Sequence, residues 1–218
     1  MRSLLIALIL VSLAAVPAVA DILPLPGTGS SYDAGSFIDT YYTLTVHSLD
    51  FATSNPRDAF VRDRNPAWVA PPAGTQWIGP SHSPAGSTSD PDGYYDYQLS
   101  LWIPGVESIS GMWATDNDAK IFVNGVDTGI IKAFEGFRSL STFSIGSEFF
   151  TGSDVTLVFR VHNPVWSTTN PTGLLVANLQ ASVVPVPGAV LLGFLGLGYR
   201  SEERRVGKGC RSRWSAGH

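Results

Sequence analysis

Cysteine is nearly absent: one residue in 218, Cys210, close to the carboxyl end. A disulfide framework is therefore excluded, as are thiol nucleophiles and cysteine-based zinc sites in the body of the chain. Cationic residues are scarce between positions 21 and 184, where seven lysines and arginines stand against sixteen aspartates and glutamates, a formal charge of −9. Such a surface repels phosphate backbones, which argues against nucleic acid as a partner. No apolar run approaches the ~20 residues that a membrane-spanning helix requires. No helical stripe of useful length runs through the middle of the chain. His47, His82 and His162 are scattered, no serine sits in a Gly-x-Ser-x-Gly elbow, and no histidine pair has metal-ligand spacing. The common catalytic signatures are thus missing.

What is present begins with the two ends. Met1-Arg2 supplies a positive charge, Leu4 to Ala15 an apolar run, and Ala18-Val19-Ala20 the small residues that a signal peptidase accepts. The run is about a dozen residues, roughly 18 Å as a helix against a ~30 Å hydrocarbon core, which suits a removable signal. Residues 1–20 are therefore predicted to be a signal peptide, cut after Ala20, with the mature chain starting at Asp21. At the other end, 200–218 holds six of the fourteen basic residues and the cysteine. This string resembles the conceptual translation of a sequencing-library adapter from Arg200 onward, departing from it at Gly209 and at Ala216-Gly217. It is set apart from the fold as a foreign tail.

Between these ends the pattern is that of strands. Tyr95, Tyr97, Leu99, Leu101 and Ile103 alternate with Asp96, Gln98, Ser100 and Trp102, the signature of a half-buried strand. Val155, Leu157, Phe159 and Val161 alternate in the same way with Thr156, Arg160 and His162. Further β-rich runs are 40–46, 108–114, 140–145 and 174–183, separated by clusters such as Asp90-Pro91-Asp92-Gly93 and Asn170-Pro171-Thr172-Gly173. Asn124-Gly125 between Lys120–Val123 and Val126 predicts a hairpin with a type I′ turn. Residues 51–89 read as a long irregular loop with strand-like pieces near Val69 and Trp77. Many short antiparallel strands without helices imply two stacked sheets, and ~160 residues suffice for one core.

The stretch Val183 to Arg200, "VVPVPGAVLLGFLGLGYR", resembles the PEP-CTERM sorting signal of Gram-negative bacteria: a short proline-containing motif, an apolar helix and an arginine cluster. Pro185, Val186 and Pro187 occupy the motif, with valine where the family usually has glutamate. The apolar part of this 183–199 segment, Gly188 to Tyr199, makes a truncated anchor of roughly 18 Å. "NPAWVAPPAGTQWIGPS", "GMWATDNDAKIFVNGVDTG" and "NPTGLLVANLQAS" resemble, in that order, a galactose-binding-like jelly-roll domain. The resemblance implies a jelly-roll-type antiparallel β-sandwich over 21–182. It also implies an exosortase-type membrane protease as partner, a transient inner-membrane-tethered intermediate, and a destination at the cell surface or in exopolysaccharide and biofilm matrix.

Three ligand chemistries compete for the polar residues. Carbohydrate binding needs flat aromatic faces beside amide and carboxylate groups. Trp102, with Asp96 and Gln98 on the polar side of its strand, is the foremost candidate, followed by Trp68 and Trp166 in loops. Calcium is the metal that Asp116, Asn117 and Asp118 would suit, as hard oxygen ligands, although a turn bonded to its own backbone explains them too. Glycoside hydrolysis requires two carboxyl groups at a set separation, and Asp90, Asp92, Asp96, Glu107, Asp116 and Asp118 are available in turns or on polar strand faces. A non-catalytic exported surface or exopolysaccharide-associated protein, with carbohydrate as a candidate ligand, is the leading expectation. A secreted glycan hydrolase or lyase and a purely structural surface protein are the alternatives.

Overall fold

Alternating runs become eleven strands, all paired antiparallel, in the computed structural model, which describes residues 20–31, 37–48, 54–82, 90–164 and 170–184. One hydrogen-bonded path links ten of them and doubles back on itself to give two facing layers, a jelly-roll-type β-sandwich. The front layer runs β8 (Val126–Lys132), β7 (Asp118–Val123), β10 (Asp154–Asn163), β5 (Gly93–Trp102) and β2 (Ile38–Ser48). The path continues into the back layer through β3 (Arg57–Val61), β4 (Ile78–Gly79), β11 (Gly173–Val183), β6 (Val106–Asp116) and β9 (Ser141–Ile145). The remaining strand, β1 (Asp21–Pro24), pairs with β11, Asp21 opposite Val183. Two single-turn 3-10 helices, Gly136–Arg138 and Ser147–Phe149, are the helical content of the described residues.

The pleat explains the core. On β5, Tyr95, Tyr97 and Leu99 are buried, and on β10 Val155, Leu157, Phe159 and Val161 are buried; their alternating neighbours face outward. The inward set meets Ile109 and Trp113 of β6, Phe143 and Ile145 of β9, and Leu174, Val176 and Ala181 of β11. Trp113 and Phe143 each lie 6.0 Å, centroid to centroid, from Phe159 of the opposing layer, a spacing typical of tilted aromatic packing. These rings join the two layers through the middle of the core.

The hairpin forms as its sequence predicts. Asn124 and Gly125 adopt φ of 49° and 82°, Val123 pairs with Val126, and β7 and β8 extend from either side. The 51–89 segment, by contrast, is not loop throughout. Its described part contains β3 and β4, which bridge the two layers, and a Trp68–Trp77 pair packed at a tilt of 37° with ring centroids 4.4 Å apart. β3 is short because only Ala59 and Val61 are fully buried, and β4 is two residues long, so neither shows a readable period. β1 also arises outside the expected strands. Its side chains are exposed, and it is held by its ladder to β11.

The described strands belong to one compact unit, Ala20–Val184. No helix among the described residues is long and apolar enough to cross a membrane. The signal segment with Ala18, the motif Pro185-Val186-Pro187 with its apolar anchor, the 200–218 tail and Trp166 lie outside the described residues.

Candidate functional site on the outer face of the front layer

The side chains that β2, β5, β10 and β7 turn away from the core make one polar and aromatic surface. Register fixes their order. Asp96 of β5 stands opposite Thr45 of β2 and Arg160 of β10, and Arg160 stands opposite Lys120 of β7. In the adjacent row Tyr94 faces His47 on one side and His162 on the other. Further along β5 come Gln98, Ser100 and Trp102.

Asp96 is the hub. Arg160 donates from Nε to Oδ1 and from Nη2 to Oδ2, each at 2.7 Å, a two-pronged pair that fixes the plane of the guanidinium. The Asp96 bonds raise the Arg160 pKa further above its ordinary value. His47 Nε2 lies 3.0 Å from Asp96 Oδ2. The guanidinium is stacked over Phe122, its Cζ 4.9 Å from the ring centroid, a cation–π contact that holds it from a second side. Tyr94 and His162 stack at 4.7 Å with an interplanar angle of 22°, and His162 Nδ1 is 3.3 Å from Asp118 Oδ1. Together His47, Tyr94, Lys120, Phe122 and Arg160 line a depression of about 350 Å³.

Trp102 lies on the same face toward the far end of β5 and is 71% exposed. No described part of the 51–89 segment covers it. Gln98 is exposed and donates from Nε2 to Ser100 Oγ at 3.1 Å. Trp102, Asp96 and Gln98 are thus brought onto one surface. Trp68 is not: it is 3% exposed, and its Nε1 donates to Asp116 Oδ2 at 2.7 Å. A ring enclosed on both faces has no side to offer a sugar, so its assignment as a ligand contact is corrected. Trp77 and Trp113, at 0% and 1%, are likewise core residues.

Asp116, Asn117 and Asp118 diverge instead of converging on an ion. Asp116 points at Trp68, Asn117 donates from Nδ2 to Asn163 Oδ1 at 2.9 Å, and Asp118 turns to His162 on the front face. Thr172 donates from Oγ1 to the Asp116 carbonyl at 2.6 Å. Among the described residues no group of three or more His, Cys, Asp and Glu side chains is placed to hold a metal. The three residues do not form the calcium ligand set expected of them, because Asp116 closes β6 in the back layer and Asp118 opens β7 in the front layer, so their carboxylates turn to different partners. Asp116 still has unusual acidity: burial pushes its carboxyl up to about 7, against the lowering effect of the Trp68 bond and the Arg62 charge. That is the range of a general acid, but at 6% exposure the group is closed behind Trp68. Nearby, Asp90 is paired at 2.7 Å with the buried Arg62, which also donates to the Thr172 carbonyl.

Sequence reasoning did not assign Arg160, Lys120, His47, Tyr94 or Phe122 to a site. The alternation of β10 did put Arg160 on the polar side of its strand. Which strands lie beside β5 is settled by long-range pairing, and no local pattern encodes it.

No known family profile and no curated protein matches this chain. Solved structures similar to it are carbohydrate-binding modules. A mutant of the family 29 module CBM29-2 is 10% identical, with 84% of this chain and 98% of that one covered and a TM-score of 0.39. The CBM22-1 xylan-binding domain of Xyn10C from Paenibacillus barcinonensis is 13% identical, with coverages of 78% and 99% and a TM-score of 0.34. TmCBM61 in complex with β-1,4-galactotriose is 6% identical, with coverages of 74% and 86% and a TM-score of 0.31. At these scores and identities the likeness carries no residue role or ligand from those chains to this one.

Proposed function

We propose that this is a non-catalytic exported protein that binds carbohydrate with the outer face of its front layer. It acts at the cell surface or in extracellular polysaccharide, after removal of 1–20 and sorting through 183–199 by an exosortase-type protease. The observation that carries the binding reading is Trp102. A polar strand face ordinarily excludes a ring of this size, whose burial is worth several kcal/mol at about 25 cal/mol per Å². Here the indole is in water, in line with Gln98, Asp96 and Tyr94 on the same side of β5. Aromatic planes for pyranose C–H faces and amide or charged groups for hydroxyls are what sugar recognition demands. From Tyr94 to Trp102 the strip runs eight residues, roughly 27 Å, which suits a length of polymer better than a single sugar.

The test is retention of the purified protein on insoluble polysaccharides and on a glycan array, wild type against Trp102→Ala and Phe122→Ala, with circular dichroism checking the fold. Binding that drops by about tenfold or more in Trp102→Ala is the expected outcome, equivalent to ~1.4 kcal/mol. Undiminished retention of both variants would remove this face from consideration. Burial of Trp102 by ligand also predicts reduced acrylamide quenching of its fluorescence.

A further inference from the structure

We infer that the depression on this face receives an acidic sugar residue, one bearing a carboxylate, so that the polysaccharide bound is a uronate polymer. This inference rests on the carbohydrate-binding reading and sharpens it. Of the seven cationic residues between 21 and 184, Arg62 and Lys132 are buried, leaving five at the surface. Two of those five, Lys120 and Arg160, line the depression together with His47, while no acidic residue among the described ones does. The carboxylates that balance them stand aside: Asp96 is beneath Arg160, its side chain 13% exposed, and Asp127 takes Lys120 Nζ at 3.0 Å.

The lining is rich in donors and poor in acceptors. Arg160 spends Nε and Nη2 on Asp96, and its Nη1 has no protein partner among the described residues. Lys120 has three N–H groups, one of them directed at Asp127, and a half-exposed side chain. The Tyr94 hydroxyl is the natural acceptor of the set. A neutral pyranose brings several hydroxyl protons that need acceptors, and each one left unsatisfied in a closed contact costs about 1–3 kcal/mol. A uronate residue keeps its ring hydroxyls but carries a carboxylate in place of the exocyclic C6 hydroxyl, and that group brings no proton and takes charge-assisted bonds, about twice as strong as neutral ones, from a guanidinium and an ammonium. Arg160 is already immobilised by Asp96 and Phe122, so little freedom is lost on binding. Asp96 and Asp127 leave the two cations formally neutralised and the unit as a whole is acidic, so recognition of a uronate rests on the directed N–H donors and not on net charge, and the more distant carboxylates act weakly beyond ~8 Å at physiological salt.

The experiment compares, by affinity electrophoresis or calorimetry on the purified protein, a uronate polymer such as polygalacturonate or alginate with the same polymer after carboxyl reduction to neutral sugars. A panel of neutral glucans, xylans and galactans runs beside them. The expected result is binding to the uronate polymer that weakens by about tenfold on carboxyl reduction, and by about tenfold in Lys120→Gln. Arg160→Lys, which keeps the charge and loses the fork, weakens it as well. Equal affinity for the polymer and its reduced form, with both lost in Trp102→Ala, overturns the inference and leaves the carbohydrate-binding reading intact. Uronate binding indifferent to Trp102→Ala and Lys120→Gln overturns the inference by placing the contact elsewhere. Absence of binding to every polymer, acidic or neutral, overturns the reading on which it rests.

Discussion

Asp116 shows how much one carboxyl can be governed by residues far from it in sequence. In the unfolded chain it ionises near 3.8, whereas burial behind Trp68 holds it neutral up to about 7 in the fold. Between those values the folded state carries a proton that the unfolded state has released. The contribution of this group to stability therefore falls as pH rises from about 4 to about 7 and is level above that. Asp116→Asn retains an oxygen for the Trp68 N–H and removes the ionisation. Its melting temperature is expected to match the wild type near pH 4 and to exceed it increasingly up to pH 7, by roughly 10 °C, a few kcal/mol. Thermal scans at several pH values check this, and a gap that does not vary with pH would refute it. Nothing adjacent to Asp116 in sequence announces such behaviour. "TDND" reads as a solvated corner, and the ring that encloses it is contributed 48 residues upstream. Trp102 is legible in part, since strand parity turns it away from the core, whereas its exposure is settled by what the fold leaves uncovered.

Strands β5 and β10 carry their outcome in their own letters, because every second residue is apolar and the run is long enough to show it. The β7–β8 hairpin is equally readable, because Asn-Gly meets a backbone requirement that few dipeptides satisfy. At Gly125 an added Cβ would meet nothing within 4 Å, so the requirement is purely one of φ. Gly125→Ala should accordingly cost about 1 kcal/mol, a fall of roughly 2–4 °C in melting temperature, with the β5 face unaltered. Denaturant titration with unchanged polysaccharide retention is the check, and an unaltered midpoint would contradict the turn geometry. β3 and β4 were illegible for a physical reason. Strands of five and two residues exist because their neighbours need partners, and their own propensity adds little. The site inherits that limit: its members were visible strand by strand, whereas the row His47–Tyr94–His162 exists only once pairing is known.

For the whole molecule, the sandwich and its lack of cross-links followed from composition and periodicity, while the order of strands did not. Non-local pairing decides that order, and the sequence separations are large: β1 meets β11 across nearly the entire unit. The export reading makes a prediction at this scale. Cutting after Ala20 leaves β1 whole, beginning at Asp21, whereas a cut a few residues later would strip the ladder from β11. Intact mass of the exported protein is expected to place its first residue at Asp21. A first residue at Met1, or one beyond Pro24, would contradict it.

The Asp21–Val183 pairing has one more consequence. It leaves the two ends of the sandwich a single strand spacing apart, roughly 5 Å. A linker of a few glycines could close the chain into a ring, and new ends could be opened at the Asn124-Gly125 tip to give a circular permutant. By the same geometry the unit can be spliced as a cassette into a surface loop of another protein, entering and leaving through one point.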